Sequence, residues 1–285
     1  MGLIDTILSN CNICGIASDE VKFAKELLAG KGAAVKADKE SFVCEGLWAA
    51  EKLMERNLQV THFFISSDAL QAGKLSDAEL ETVNKISKYA DNSYAISDKA
   101  CKKISDRDGA DFCFIIARPE VYTLDTMPLK DNMLIMILDG QEQPGNIGAI
   151  LRSLDCAGGS GAIIVNRRVK LSNSRLVRSA LGASFTMPVV EADMEEAGKW
   201  LVTNNFRAVL TDLTATKAYC DVDYSGRIAI VAGNEHTGIS AYWRTLPIAE
   251  PVIIPMLGSC ESLNVGFAST LVAYEAGLKM HGVKK

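Results

Sequence analysis

Apolar positions along this chain recur with two different periods, and the alternation between them predicts the architecture. In 19–32, DEVKFAKELLAGKG, residues Val21, Phe23, Ala24, Leu27 and Leu28 share one face of a helix that Gly30 stops. Short apolar strands then alternate with helices: SFVCEG, LWAAEKLMERN, THFFISS, DAELETVNKISKY, SYAIS, DKACKKIS and FCFIIARP. From Arg118-Pro119 to Pro128 both periods lapse, as a linker would. Alternation resumes at 133–140 with the strongly apolar MLIMILDG, followed by a Gly-rich turn and helix, QEQPGNIGAILRSLDCAG. Strands AIIVN, FTMPVV, FRAVLTDL and RIAIVAGN come next. The chain is expected to be α/β throughout: a helical extension over 1–35, a small α/β domain over 36–120, a linker over 121–131 and a larger α/β domain over 132–285.

The last apolar stretch, IIPMLGSCESLNVGFASTLVAYEA at 253–276, reads as strand, polar turn and helix. Pro251 and Pro255 bracket the strand Val252–Ile254, and proline offers no N–H to a ladder, so the backbone at Ile254, Pro255 and Met256 should leave the sheet and be free to meet a ligand. The helix after Asn264 carries Val265, Phe267, Ala268, Leu271, Val272 and Tyr274 almost all round its circumference, which predicts burial on two sides. Gly266, Ala268, Ser269, Ala273 and Ala276 would admit another backbone closely, and a second copy of the chain could supply it.

Composition narrows the picture. With 285 residues, 48% hydrophobic and 23% charged, the chain can bury about two cores. No apolar run approaches the roughly twenty residues of a membrane span and no basic-then-apolar leader is present, so a cytoplasmic location is expected. The eight cysteines are scattered, several inside apolar runs, as reduced buried thiols would be. Cys11-Asn-Ile-Cys14 has no second pair at zinc spacing, and no metal is expected. Net charge is −5. Residues 1–125 hold 15 Lys+Arg against 20 Asp+Glu and the remainder 15 against 15, so a nucleic-acid partner would need a local patch. Arg167, Arg168, Lys170, Arg175 and Arg178 lie in one segment with no acid among them and are the candidate contacts to an RNA backbone.

The turn after MLIMILD lacks the Lys-Ser/Thr of a Walker loop, and Gly140, Gly145 and Gly148 do not match dinucleotide spacing. What remains is three loops, each following a strand: LDGQEQPGNIGAILR, VAGNEHTGIS and IPMLGSCESLNVGFAS. Loops beyond the carboxyl ends of strands in an open α/β sheet share one crevice.

These three loops resemble the motifs of the SpoU (TrmH) family of RNA 2′-O-ribose methyltransferases, within the SPOUT superfamily. Asn146 with Gly148 and Arg152 comes first, then Gly233-Asn234-Glu235 with Gly238, then Ile254-Pro255-Met256 with Ser262-Leu263-Asn264-Val265. More loosely, FVCEGLWAAEKL and KISDRDGADFCFIIARP resemble the family's N-terminal substrate-binding module. The resemblance implies a homodimer and a C-terminal SPOUT domain with a deep trefoil knot that holds S-adenosylmethionine. It implies methyl transfer to a ribose 2′-hydroxyl of structured RNA, with ribosomal RNA favoured over transfer RNA. Two features depart from the usual pattern: His236 stands where many relatives have Gly, and Gly266-Phe267 where Ser-Val or Ser-Ala is usual.

By the same resemblance Arg152, Asn146 and Glu235 form the catalytic group. A guanidinium, with a pKa above about 12, is a poor proton acceptor. Arg152 is therefore expected to clamp an RNA phosphate and stabilise the developing alkoxide, with phosphate, water or Glu235 taking the proton. Asn146 can also cap the helix that it opens. The expected cofactor cradle comprises Leu210, Thr211, Gly233, Asn234, Gly238, Ile254, Met256, Ser262, Leu263 and Asn264, largely through backbone groups. An RNA-binding protein without catalysis and a base-methylating SPOUT enzyme are the competing readings. Retention of Asn146, Arg152, Glu235 and Asn264 argues against both.

Overall fold

The structure, a computed structural model, describes residues 2–105 and 112–283. Part of the KISDRDGADFCFIIARP resemblance, 106–111, lies outside the described residues. The chain opens with helix α1 (Leu3–Ser9), strand β1 (Asn12–Ile13) and helices α2 (Asp19–Ala29) and α3 (Ala33–Ala37). There follow β2 (Phe42–Glu45), α4 (Ala50–Glu55), β3 (Val60–Ser66), α5 (Ser67–Gln71) and α6 (Asp77–Tyr89). Strand β4 (Asn92–Ile96), α7 (Asp98–Ile104) and β5 (Cys113–Ala117) complete the first run. The second begins with β6 (Met133–Asp139), α8 (Pro144–Cys156), β7 (Gly161–Val165), α9 (Ser174–Ala180) and α10 (Ala183–Thr186). It continues through β8 (Val189–Glu191), α11 (Met194–Thr203), β9 (Phe206–Thr211) and β10 (Arg227–Ala232). Helix α12 (Ala241–Thr245), β11 (Ala249–Val252) and α13 (Val265–Met280) end it.

Two compact units result, 1–120 together with 171–182, and 121–170 together with 183–285. The first is built on a five-stranded mixed sheet, ordered β1-β4-β3-β5-β2. Its short N-terminal strand is part of that sheet, pairing parallel to β4 through Asn12↔Tyr94 and Ile13↔Ala95. Local chemistry sets the helix ends: Ser18 Oγ accepts from Val21 N at the start of α2, and Gly30 closes it at φ 67°. Helix α9 belongs to this unit although its neighbours in sequence do not. It is held by Arg178 Nη1 to Glu45 Oε1 at 3.0 Å and by Lys52 Nζ to the carbonyl of Leu181 at 2.6 Å.

The second unit has a six-stranded sheet, ordered β11-β9-β10-β6-β7-β8, with every pair parallel. Both faces of such a sheet are covered, so its central strands read as unbroken apolar runs, and all seven residues of β6 are buried. The chain moves from β6 outward through β7 and β8, then crosses to the other side for β9 and returns to place β10 beside β6. The strand order therefore reverses at β6/β10, where an open α/β sheet leaves a crevice beyond the strand ends.

Two expectations change here. The run FTMPVV is not one strand: Phe185 and Thr186 end α10, and Pro188 introduces the short β8 by giving its carbonyl to Ala162 N at 2.9 Å. The strand bracketed by prolines lies earlier, at Ala249–Val252, and contains Pro251. That is tolerated because β11 is an edge strand and needs a ladder on one side only. Helix α13 packs one side against α8, with Thr270 Oγ1 bonded to Ser153 Oγ at 2.8 Å and Gly277 closely facing the carbonyl of Ala157. Its other apolar stripe is uncovered in the single chain, leaving Phe267 70% exposed. No helix among the described residues is long and apolar enough to cross a membrane.

Candidate active site

Loops after β6 and β10 meet at the reversal of strand order, and they are bonded to each other. Gln141, buried just after β6, donates through Nε2 to the carbonyl of Gly233. Asn234 Nδ2 returns a bond to the Gly140 carbonyl at 2.8 Å, while its Oδ1 accepts from His236 N and Thr237 N at 2.9 and 3.1 Å. The β10 loop is closed by reciprocal backbone bonds between Asn234 and Gly238. Only glycine fits at 233, because a Cβ there would lie 2.2 Å from Gly238 C and Ile239 N. Gly238 takes φ +72° at the turn. The sequence cast both glycines as cradle positions; the structure adds that they shape the loop itself.

Two other predicted residues, Asn264 and Glu235, are linked through Asn146, and Glu235 is the more heavily bonded. Its carboxylate accepts Asn146 Nδ2 at 3.0 Å and the backbone amides of Glu142 and Gln143 at 3.2 and 3.3 Å. Asn264 Nδ2 approaches Asn146 Oδ1 at 3.5 Å, and Asn264 Oδ1 caps α13 by accepting Gly266 N at 2.9 Å. Gly266 lies close to this contact: a Cβ there would sit 3.1 Å from Asn264 Oδ1 and 3.7 Å from Asn146 Oδ1. Partial burial pushes the Glu235 carboxyl up, but the Asn146 amide and the backbone donors more than offset it, so it lies below the ordinary carboxylate range. A carboxylate so saturated is ionised at neutral pH and is a weak base. Its role is to join the β6 and β10 loops and to hold Asn146.

Arg152 stands apart from that cluster. It is exposed on α8, six positions beyond Asn146 and so ~240° further round the helix, with no hydrogen bond or ion pair among the described residues. Such a guanidinium is available to an incoming phosphate or carboxylate.

The remaining cradle positions divide. Leu210 is fully buried inside the ladder, opposite Val231 and Pro251, and Thr211 ties β9 to β10 through Oγ1 to the Val231 carbonyl at 2.9 Å. By contrast, the stretch 254–263, with Ile254, Met256, Ser262 and Leu263, makes no hydrogen bond among the described residues. Its amides and carbonyls are free, and Leu257 and Leu263 are exposed beside them.

The basic segment is divided between the two units. Arg167, Arg168 and Lys170 are in the second unit, Arg175 and Arg178 in the first. Two of the five have acidic partners from distant sequence: Arg167 pairs with Glu191 at 2.7 Å and Arg178 with the buried Glu45 at 3.0 Å. Arg168, Lys170 and Arg175 are exposed. The absence of acids along the segment says nothing about acids brought in by the fold.

Sequence reasoning also passed over hydrogen-bonded side chains close in sequence to these loops: Asp139, Gln141, Asp212, Trp243 and Arg244. Asp139 had a signal, as the one charge ending a wholly apolar strand. Asp212 had another, since Asp-x-Thr is a pattern in which the carboxylate bonds its own backbone two residues on.

With this geometry in place, comparison with known proteins is informative. The SpoU rRNA Methylase family model matches residues 133–274. A 23S rRNA (uridine(2479)-2′-O)-methyltransferase of Streptomyces viridochromogenes is 35% identical over 159 residues, 54% of this chain and 55% of that protein. The matched region thus spans about half the length of that relative. Among solved structures, an AdoMet-bound rRNA methyltransferase from Sinorhizobium meliloti superposes with TM-score 0.81 at 22% identity, covering 96% of this chain and 99% of its own. An RNA 2′-O ribose methyltransferase superposes with TM-score 0.77 at 27% identity, covering 94% and 99%.

Proposed function

Through residues 133–274 the chain belongs to the SpoU rRNA methylase family, and from that premise we propose that it transfers a methyl group from S-adenosylmethionine to a ribose 2′-hydroxyl of structured RNA. The observation that carries this reading is the contact of Asn146, Glu235 and Asn264 at the reversal of strand order, beside a backbone stretch with unused donors and acceptors. The named Streptomyces relative acts on ribosomal RNA, which favours that substrate over transfer RNA.

The site suits S-adenosylmethionine on the chemistry of its donors. Adenine and the amino-acid end need hydrogen-bond partners, which 254–263 has free, and the ring and thioether carbons need apolar contact, which Leu257 and Leu263 can give. The cofactor would supply an electrophilic methyl, so the protein's task is position and electrostatics. Arg152 grips an RNA phosphate and stabilises the alkoxide as it forms. Asn146, held by Glu235, orients the ribose or the arginine. With Glu235 saturated, the hydroxyl proton passes to an RNA phosphate or to water.

The open stripe of α13 is the proposed face of a homodimer. Phe267, Leu271 and Tyr274 are 70%, 42% and 41% exposed, a row of large apolar groups that a soluble protein ordinarily covers. By the same reading β11, the loop after it and α13 thread as a deep trefoil knot, and the protein works in the cytosol. A charge at Leu271 should yield monomers in ultracentrifugation; an active dimer with that change would reject the face.

The deciding experiment joins two measurements. Calorimetry in EDTA should show S-adenosylmethionine binding, and mapping of cellular RNA with and without the gene should reveal a lost 2′-O-methyl. Failure to bind the cofactor, with RNA present or absent, would reject the reading. Methylation found on a base nitrogen would replace ribose chemistry, and binding of both ligands without transfer would leave a non-catalytic RNA-binding protein.

A further inference from the structure

At the strand ends lie two buried carboxylates whose side chains hydrogen-bond none of the predicted site residues, yet each accepts three or four bonds. Asp139 ends β6 and is 2% exposed. Its Oδ1 accepts Asn166 Nδ2 at 2.7 Å, and its Oδ2 accepts Ser240 N at 2.8 Å and Trp243 Nε1 at 3.1 Å. Asp212 follows β9 and is 8% exposed. Oδ2 takes Arg244 Nε and Nη2, both at 2.8 Å, and Oδ1 takes Thr214 N and Oγ1 at 3.0 and 2.8 Å. Burial pushes the Asp212 carboxyl up, and Arg244 and Thr214 more than offset this.

The two carboxylates are gripped by adjacent residues, Trp243 and Arg244, of the five-residue helix α12. That helix directly follows the β10 loop, and Asn166 directly follows β7. One short helix therefore fixes the ends of β6, β7, β9 and β10 at once, and a buried charge that lost its partner would force the loops to rearrange. We propose that Asp139 and Asp212 are positioning residues for the cofactor-binding loops, acting through Trp243 and Arg244 of α12. This rests on the reading of those strand ends as the S-adenosylmethionine site. Neither side chain touches ligand; their effect is to hold the β9 and β10 loops in one arrangement before it binds.

Two measurements on the full chain test it, using Arg244→Gln, Arg244→Lys and the milder Trp243→Phe. In calorimetry Arg244→Gln should weaken S-adenosylmethionine binding about tenfold, the size of one lost charge-assisted hydrogen bond. RNA affinity, and kcat at saturating cofactor, should stay within about twofold of the parent, and Arg244→Lys should recover part of the loss. In hydrogen exchange without ligand, amides over 211–215 should open faster in Arg244→Gln, and those over 232–240 in Trp243→Phe. Should Arg244→Gln be too unstable to purify, Trp243→Phe carries the same test at the other carboxylate. Unchanged exchange and unchanged cofactor affinity in folded variants would overturn the proposal. If the parent binds no S-adenosylmethionine, the functional reading fails, and the exchange experiment still decides whether α12 sets the loops.

Discussion

Charge is used in opposite ways at the strand ends of the second unit and along the segment 167–178. At the strand ends the carboxylates are heavily hydrogen-bonded, Asp139 and Asp212 buried and Glu235 partly so: Asp139 takes three bonds, Asp212 four and Glu235 three. Along the segment the charged groups are guanidinium and ammonium groups, mostly exposed, with two paired singly to one acid each. A carboxylate that accepts three or four hydrogen bonds has at most one lone-pair site left to offer chemistry and serves as a fixed anchor. An exposed cation with no partner keeps its full charge for a ligand. By this measure Arg152, exposed and with no hydrogen bond or ion pair among the described residues, belongs with the second group although it stands in the first region, and in the proposed function it acts while the carboxylates hold.

The sharpest break in the comparison is Arg152→Ala. Cofactor affinity should hardly change, because nothing in the cradle touches this side chain. Methyl transfer should fall about a hundredfold or more, as when one preorganised charge-stabilising donor is removed. Arg152→Lys should recover little, since an ammonium cannot reproduce a planar two-pronged contact. Single-turnover rates on the cognate RNA measure both, and near-parental rates would return Arg152 to an ordinary surface role.

Glu235→Gln should cost less. The amide can accept on one oxygen only, so its NH2 must face one of the donors that the carboxylate now receives, a loss of about 1–2 kcal/mol or roughly tenfold in rate. The pH dependence follows from the sign of its shift. A carboxyl held below its ordinary range keeps its stabilising charge above the unfolded pKa and loses it as pH falls through the lower folded value. The rate profile should thus show no Glu235 ionisation near neutrality, and a rate limb around pH 6–7 that Glu235→Gln abolishes would make it the base after all.

Why the two regions differed in legibility follows from the same physics. Strand and helix positions could be read from the runs around β6, β10 and α13 because burial enforces periodicity locally. The loop residues Asn146, Glu235 and Asn264 could be read because they stand in motifs that resemble those of the SpoU family, and the structure brings those three together. Charge pairing has no such local trace. Glu45 lies 133 positions from Arg178, and Asp139 lies 104 from Trp243, so neither partnership leaves a pattern along the chain. Proline placement was misread at β11 because the sequence does not reveal which strand will be an edge.

The pairing inside the first unit sharpens the comparison from the other side. Arg178 spends its charge on Glu45, whose side chain is 6% exposed and also accepts Ser105 Oγ at 2.6 Å. Arg178→Ala removes that ion pair from the buried carboxylate, for a loss of about 1–3 kcal/mol in urea unfolding, moderated because the guanidinium is partly in water. If Arg178→Ala instead keeps stability and weakens RNA binding as strongly as a free cation would, the segment is a phosphate-binding surface along its whole length.

The smallest effect, and the finest test, compares neighbours. Arg168 and Lys170 are exposed, whereas Arg167 already holds Glu191 at 2.7 Å on the same surface. An RNA phosphate that meets a free cation releases condensed counterions, and each such contact adds close to one unit to the slope of log affinity against log salt. Arg168→Ala and Lys170→Ala should each lower that slope by about 0.7–0.9, with binding weakened uniformly across RNA sequences. Arg167→Ala should lower it by less than about half as much, because Glu191 already neutralises the guanidinium that a phosphate would meet. Its effect on stability should be under about 1 kcal/mol, as for an exposed pair. Filter-binding titrations at four salt concentrations give all three slopes. Equal slopes for the three variants would mean that RNA displaces Glu191, and that an exposed ion pair is no commitment; unchanged slopes for Arg168 and Lys170 would place the RNA elsewhere on the protein.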